Sequence, residues 1–204
     1  MKDRCLSSDF FKSSTLQMAQ KLLGTYLAHY SKEGLTIGRI VETEAYLHDD
    51  PACHASRGMT PRNVPMFGSP GHAYIYFIYG MYHCFNVVTA PKGKGEAVLI
   101  RALEPIAGIE VMKKRRQKKS GNKISLKDLC NGPGKLVMAM GIHPKQNQHN
   151  LLTSELRLLP RNYFGKNKKL IIQKSARIGI SEGQYLHYRF YLADSIFVSK
   201  HPKT

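Results

Sequence analysis

The segment "GRIVETEAYL" places two carboxylates, Glu42 and Glu44, at alternate positions of a run otherwise rich in β-branched and apolar residues. If the run is a strand, Ile40, Glu42 and Glu44 share one face and Val41, Thr43 and Ala45 the other. An acid on such a segment is exposed, paired with a cation, or held for acid–base work. Two chemistries are therefore open: a salt-bridged structural pair, or a general base. The neighbours bear on the choice. Tyr46 comes next, then a proline-rich stretch carrying His54, then "YIYFIYGMYHCFN" from Tyr74 to Asn86. That last run holds four tyrosines and two phenylalanines in a chain with no tryptophan.

In β spacing Tyr74 and Tyr76 face one way and Ile75 and Phe77 the other. Gly80 breaks the strand, so a turn at "YGM" lifts Tyr79, with Met81 beside it, to a hairpin tip, while Phe77 and Phe85 are expected in the core. Stacking one nucleobase on an aromatic ring contributes about 1–3 kcal/mol. Drawing a base out of duplex costs about a few kcal/mol. A slot with a ring on each face of the base, and an apolar wedge in the vacated gap, brings the two close to balance. Charge points the same way: 31 Lys and Arg against 14 Asp and Glu give a formal net charge of +17, a field that attracts polyanions, nucleic acid first. A basic surface that merely keeps the chain soluble is the alternative.

The elements that must position these residues are readable in outline. "STLQMAQKLLG" has helical spacing between a Ser/Thr cap and Gly24. "TYLAHY" and "LTIGRIVETEAYL" read as strands joined at "SKEG", and "HAYIYFI", "YHCFNVVT" and "AVLIRAL" as three more, with "YGM" and "APKGKGE" between them. From His48 to Gly71 prolines and small polar residues predict a long ordered loop. "EPIAGIEVMKKRR" and "GPGKLVMAMGI" predict helices, the basic run from Lys113 to Lys123 a solvent-facing loop, and "LIIQK" and "IFVSK" short strands. With 204 residues, 42% hydrophobic and no composition break, residues 1–204 are expected to form one α+β domain around an antiparallel sheet.

The four cysteines, Cys5, Cys53, Cys84 and Cys130, are dispersed without a CxxC pair, so no metal site is expected and the thiols suit a reducing compartment. No stretch has the apolar length of a signal peptide or a membrane span. An intracellular protein, working away from membranes, is the expectation.

These motifs, in this order, resemble the alkyladenine (3-methyladenine) DNA glycosylases. The match is dense from Gly38 to Pro105, through "GRIVETEAYL", "SRGMTPRN", "YIYFIYGMY" and "LIRALEP", and continues more weakly through "CNGPGKL" and "ARIGI". The resemblance implies a monofunctional, cofactor-free glycosylase of base excision repair. Such an enzyme flips alkylated and deaminated or etheno purines from double-stranded DNA and hydrolyses the bond to deoxyribose. It also implies a single domain with a curved sheet, flanking helices and a protruding hairpin, a monomer, and a bacterial cytoplasm or nucleoid. Carried over by position, Glu44 activates water and Arg101 places it. Tyr46 and Tyr76 sandwich the base, His54 lies at its edge, and Asn86 crowds the exocyclic amino group of guanine. Tyr79 intercalates, and Thr60, Arg62, Met66 and Met81 lie near the DNA backbone or the gap.

Residue types alone leave rivals. Glu42 is chemically equal to Glu44, His54 reads equally as a loop anchor, and Arg101 as a structural partner of Glu42 or Glu104. A non-catalytic module stacking bases on the same rings is the second reading. A zinc deaminase is disfavoured, since it needs H-x-E with P-C-x-x-C and the chain has neither. A Schiff-base lyase needs an amine nucleophile, and no lysine lies in the matched pocket motifs.

Overall fold

The computed structural model describes residues 6–78, 80–117, 123–165 and 169–200. Helix α1 (Thr15–Leu22) starts where Ser14 and Gln17 form a reciprocal capping box, and it buries Met18, Ala19 and Leu22. Its Ala19 carbonyl accepts a 2.8 Å hydrogen bond from the Thr43 hydroxyl, which fastens the helix to the strand carrying the two carboxylates.

That strand, β2 (Gly34–Tyr46), is the centre of the sheet. It follows β1 (Tyr26–Ser31) through a two-residue turn, and β1 pairs in turn with β6 (Leu156–Leu159). On its other edge β2 pairs with β5 (Ala97–Ala107), which pairs with β4 (Tyr82–Val88), itself the return arm of the hairpin begun by β3 (Ala73–Ile78). Along Glu42–Glu44, β2 is also bonded to β8 (Arg189–Leu192), which β7 (Ile172–Ser175) flanks. Every pairing is antiparallel, and the sheet curls upon itself. Helices α2 (Ile109–Arg116) and α3 (Pro133–Met140) pack on one another, α3 also covering β4 and β5. The α+β expectation holds, with three α-helices against one curled sheet among the described residues.

Between Ile40 and Thr43 the β2–β5 register slips twice: Ile40 faces Leu103, Glu42 faces Ala102, and Thr43 faces Ile100. Val41 and Arg101 thus stand unpaired at a compensating pair of bulges, a device that re-aims side chains. Strict alternation fails here, and Ile40 joins Val41 and Ala45 in the main core.

Several expectations are corrected. The segment from Glu104 to Ala107 is strand, not helix, and Gly108 makes the switch at φ 72°, where an added Cβ would lie 2.2 Å from the Leu35 carbonyl oxygen. Lys113–Arg116 is helical, and Arg115 is tucked against Glu33, Ser31 and the Ala139 carbonyl rather than solvated. The remainder of that basic run at 118–122 lies outside the described residues. "IFVSK" forms no strand, whereas β6 and β8 were not anticipated. Phe85 is buried as expected, but Phe77 is 50% exposed and lies against His83 near the hairpin end.

Candidate active site

The curl of the sheet and the loop between β2 and β3 enclose a cleft of about 1080 Å³, into which Tyr46, His54, Tyr76, Asn86, Arg101 and Met66 all face. The site's backbone is the β2–β5 bulge. From it the Arg101 guanidinium spans both carboxylates, with Nε donating to Glu42 Oε1 at 3.2 Å and Nη1 to Glu44 Oε2 at 3.2 Å. Glu104, the alternative partner considered for Arg101, pairs instead with Arg39 at 3.3 Å.

The two acids now differ. Glu42 accepts four hydrogen bonds: on Oε1 from Arg101, from Arg189 Nε at 2.7 Å and from the Ser199 hydroxyl at 2.9 Å, and on Oε2 from the Ser199 amide at 2.7 Å. With two guanidiniums and Ser199 bonded to it, Glu42 is a tether for β5, β8 and the segment after β8. Glu44 is fully buried and does not itself line the cleft, but two of the residues bonded to its carboxylate, Tyr46 and Arg101, do. Oε1 accepts from the Ile178 amide at 2.8 Å, and Oε2 from the Tyr46 hydroxyl at 2.9 Å. Burial pushes the Glu44 carboxyl above the ordinary 4.5, an effect that Arg101, the Ile178 amide and the Tyr46 hydroxyl only partly offset.

The walls follow from β3, β4 and the loop. Tyr76 packs edge-on against His54 with ring centroids 4.5 Å apart, and tilts on Tyr74 at 5.4 Å. Among the described ring pairs Tyr46 and Tyr76 do not stack on one another, and both present surface to the cleft. Asn86, on β4 opposite Tyr74, is held by its Nδ2 donating to the Tyr74 carbonyl at 3.0 Å. His54 is neutral near pH 7, since burial, then the Arg62 charge, lower its pKa below 6.5. Asn63 fixes the loop by donating to the His54 and Gly58 carbonyls at 2.7 and 3.0 Å and accepting from the Thr60 amide.

Other positions chosen from sequence lie apart from the cleft. Arg62 donates to the Phe77 carbonyl at 3.1 Å and lies 5.9 Å from the Tyr76 ring centroid, so it braces the hairpin. Thr60 is an exposed loop residue, and Met81 is 69% exposed at the hairpin turn. Tyr79 lies outside the described residues.

Sequence reasoning missed the support behind Tyr46. Arg177 is buried with its guanidinium 4.6 Å from the Tyr46 ring centroid and 5.5 Å from that of Tyr188. It grips Asp50 through both terminal nitrogens and donates to the Ala45 carbonyl at 3.0 Å. The next residue, Ile178, supplies the amide that holds Glu44 and a carbonyl 3.4 Å from Arg101 Nη1. The only trace of this in the sequence is the motif "ARIGI", in which nothing marks the arginine as buried.

The sequence profile described as Methylpurine-DNA glycosylase (MPG) matches residues 9–196. The chain belongs to the methylpurine-DNA glycosylase family. Relatives named "Putative 3-methyladenine DNA glycosylase" agree with that placement. One from Francisella tularensis subsp. tularensis (strain SCHU S4 / Schu 4) is 50% identical over 186 residues, 91% of this chain and 94% of its own. Others from Carboxydothermus hydrogenoformans and Chlorobium phaeobacteroides are 46% and 47% identical, over 96% and 95% of this chain and 98% and 94% of theirs. As a methylpurine-DNA glycosylase the protein is a hydrolase of N-glycosyl bonds acting on DNA in repair. No helix among its described residues is long and apolar enough to cross a membrane.

Proposed function

We propose that this methylpurine-DNA glycosylase extrudes damaged purines from duplex DNA and hydrolyses the glycosidic bond with water activated by Glu44. The observation that supports the reading is the asymmetry of the two acids: Glu42 is bonded by Arg189 and Ser199, which do not line the cleft, whereas Glu44 bonds Tyr46 and Arg101, which do. A base entering between Tyr46 and Tyr76 draws the Tyr46 ring into stacking. The freed Oε2, beside Arg101 Nη1, then takes a proton from water. The same negative charge stabilises the oxocarbenium-like sugar as the base leaves, in a floor where little solvent screens it. Tyr46 and Tyr76 favour positively charged alkylpurines through the attraction of a cation to a ring face. Asn86 closes the edge, and Arg116 and Lys135, which also line the cleft, attract the phosphates. Residues 1–204 act as one domain and as a monomer.

A panel of duplexes carrying 3-methyladenine, 7-methylguanine, hypoxanthine or ethenoadenine tests this, with the small-molecule fraction resolved by chromatography. Free base is expected from the alkylated duplexes. Tight, salt-sensitive binding without free base from any of them identifies a stacking module instead.

The pH dependence follows from the direction of the Glu44 shift. A base must be ionised, so kcat/KM falls as the pH drops through the raised pKa, and the acidic limb lies above 4.5. Tyr46→Phe removes a hydrogen bond to the charged form, which moves that limb further up. A limb that stays in place in Tyr46→Phe assigns it to a group other than Glu44.

A further inference from the structure

Among the described residues that line the cleft, Arg57, Arg101, Arg115, Arg116 and Lys135 are cationic, and Glu182 is the single acid. Its side chain is exposed and has no ion pair or hydrogen bond among the described residues. A free carboxylate on a surface that meets phosphates weakens the hold on every duplex, damaged or not. Its place is nevertheless fixed by the fold. Residues 178–182 all line the cleft, and this segment is pinned at three points. The Ile178 amide donates to Glu44 Oε1 at 2.8 Å, the Gln184 side chain donates to the Ile180 carbonyl at 3.0 Å, and Arg177 Nη2 donates to the Gly183 carbonyl at 3.4 Å. Gly183 turns at φ 64°, and a Cβ there would lie 3.0 Å from both Arg177 Nη2 and Asp50 Oδ1. Only glycine lets the chain turn so close to the buried Asp50–Arg177 pair, and the acid is the residue just before it.

We propose that Glu182 is a specificity-determining residue: its carboxylate, held at the cleft wall by the pinned segment, favours extruded purines that carry a positive charge over neutral ones. This rests on the glycosylase reading above. A purine methylated at N3 or N7 is cationic while still joined to deoxyribose, whereas hypoxanthine and ethenoadenine are neutral. The faces of Tyr46 and Tyr76 act on that charge at contact distance and out of solvent. Glu182 acts on it across the open cleft, where salt screens the attraction over about 8 Å at physiological ionic strength. The two contributions are therefore separable. The carboxylate weakens the hold on all duplexes alike through their phosphates, and it stabilises the extruded state of cationic lesions alone.

The test compares single-turnover base release from duplexes that differ only in the lesion, 3-methyladenine or hypoxanthine, with enzyme saturating so that DNA association drops out. In Glu182→Gln the rate ratio of 3-methyladenine to hypoxanthine is expected to fall about two- to fivefold at low salt, the scale of an exposed pair of opposite charges. Glu182→Lys should lower it further. Raising the salt should lower the ratio of the parent toward that of Glu182→Gln and leave the ratio of Glu182→Gln in place. Binding of an undamaged duplex should tighten in Glu182→Gln. Asp9→Asn, which removes an exposed acid that does not line the cleft, controls for net charge and should leave the ratio unchanged. A ratio that does not move in Glu182→Gln overturns the proposal, as does an equal fall in Asp9→Asn. Absence of base release from every duplex by the parent defeats the glycosylase reading instead.

Discussion

Glu44→Gln is expected to lower single-turnover base release from alkylated DNA by about 10²–10⁴-fold, the usual contribution of a positioned general base, while DNA affinity stays near the parent value. The amide matches the carboxylate in shape but cannot accept a proton at neutral pH. It also cannot satisfy all of its surroundings, since the Ile178 amide, the Tyr46 hydroxyl and Arg101 Nη1 are all donors. One of them loses its acceptor, at about 1–3 kcal/mol, so folding must be checked beside the rate. Glu42→Gln supplies the contrast. There Arg189 and Arg101 lose a shared counter-charge in the interior, so that variant should lose stability chiefly, with base release by the remaining folded fraction near normal. If the two phenotypes are exchanged, the assignment of tether and base is reversed.

The second large effect lies behind the slot. Asp50→Ala leaves the Arg177 guanidinium buried without its carboxylate, and breaking such a pair costs about 3–5 kcal/mol. A fall of that size in the free energy extrapolated from urea unfolding, with the slope unchanged, is the expected result. Whatever fraction stays folded should lose turnover as well, because Arg177 packs on the Tyr46 ring, bonds the Ala45 carbonyl and precedes the residue whose amide holds Glu44. Unaltered stability in Asp50→Ala means that the pair contributes no more than its desolvation takes away.

What the sequence discloses tracks how local each cause is. The Ser/Thr cap of α1, the β1–β2 turn and the hairpin of β3 and β4 depend on residues close in the chain, and these were legible. So was the shared face of Glu42 and Glu44, since both reach Arg101. Strands β6 and β8 were not, for their short segments owe their shape to distant partners: β8 is held by β2 and by the buried contact of Arg189 with Glu42. The helix expected from Glu104 failed because pairing of β5 with β2 overrides spacing up to Ala107. Phe77 was misplaced because the hairpin carries it beyond the layers that would have buried it. Within the site, Tyr46, His54, Tyr76, Asn86 and Arg101, which line the cleft, were picked out through the family motifs, whereas Asp50, Tyr74 and Arg177, which brace them, are ordinary in type and become meaningful only through contacts far apart in sequence.

The double bonding of β2 has a consequence for how such an enzyme changes over generations. Around Glu42–Glu44 the strand is laddered to β5 on one edge and β8 on the other, so the Glu44 backbone rests on an anvil with no freedom to shift. The opposing wall, with His54 and Met66, belongs to a connection outside the ladders, anchored by side chains such as Asp50 and Asn63. Substitutions can therefore accumulate in that connection while the strand that carries Glu42 and Glu44 is inherited intact.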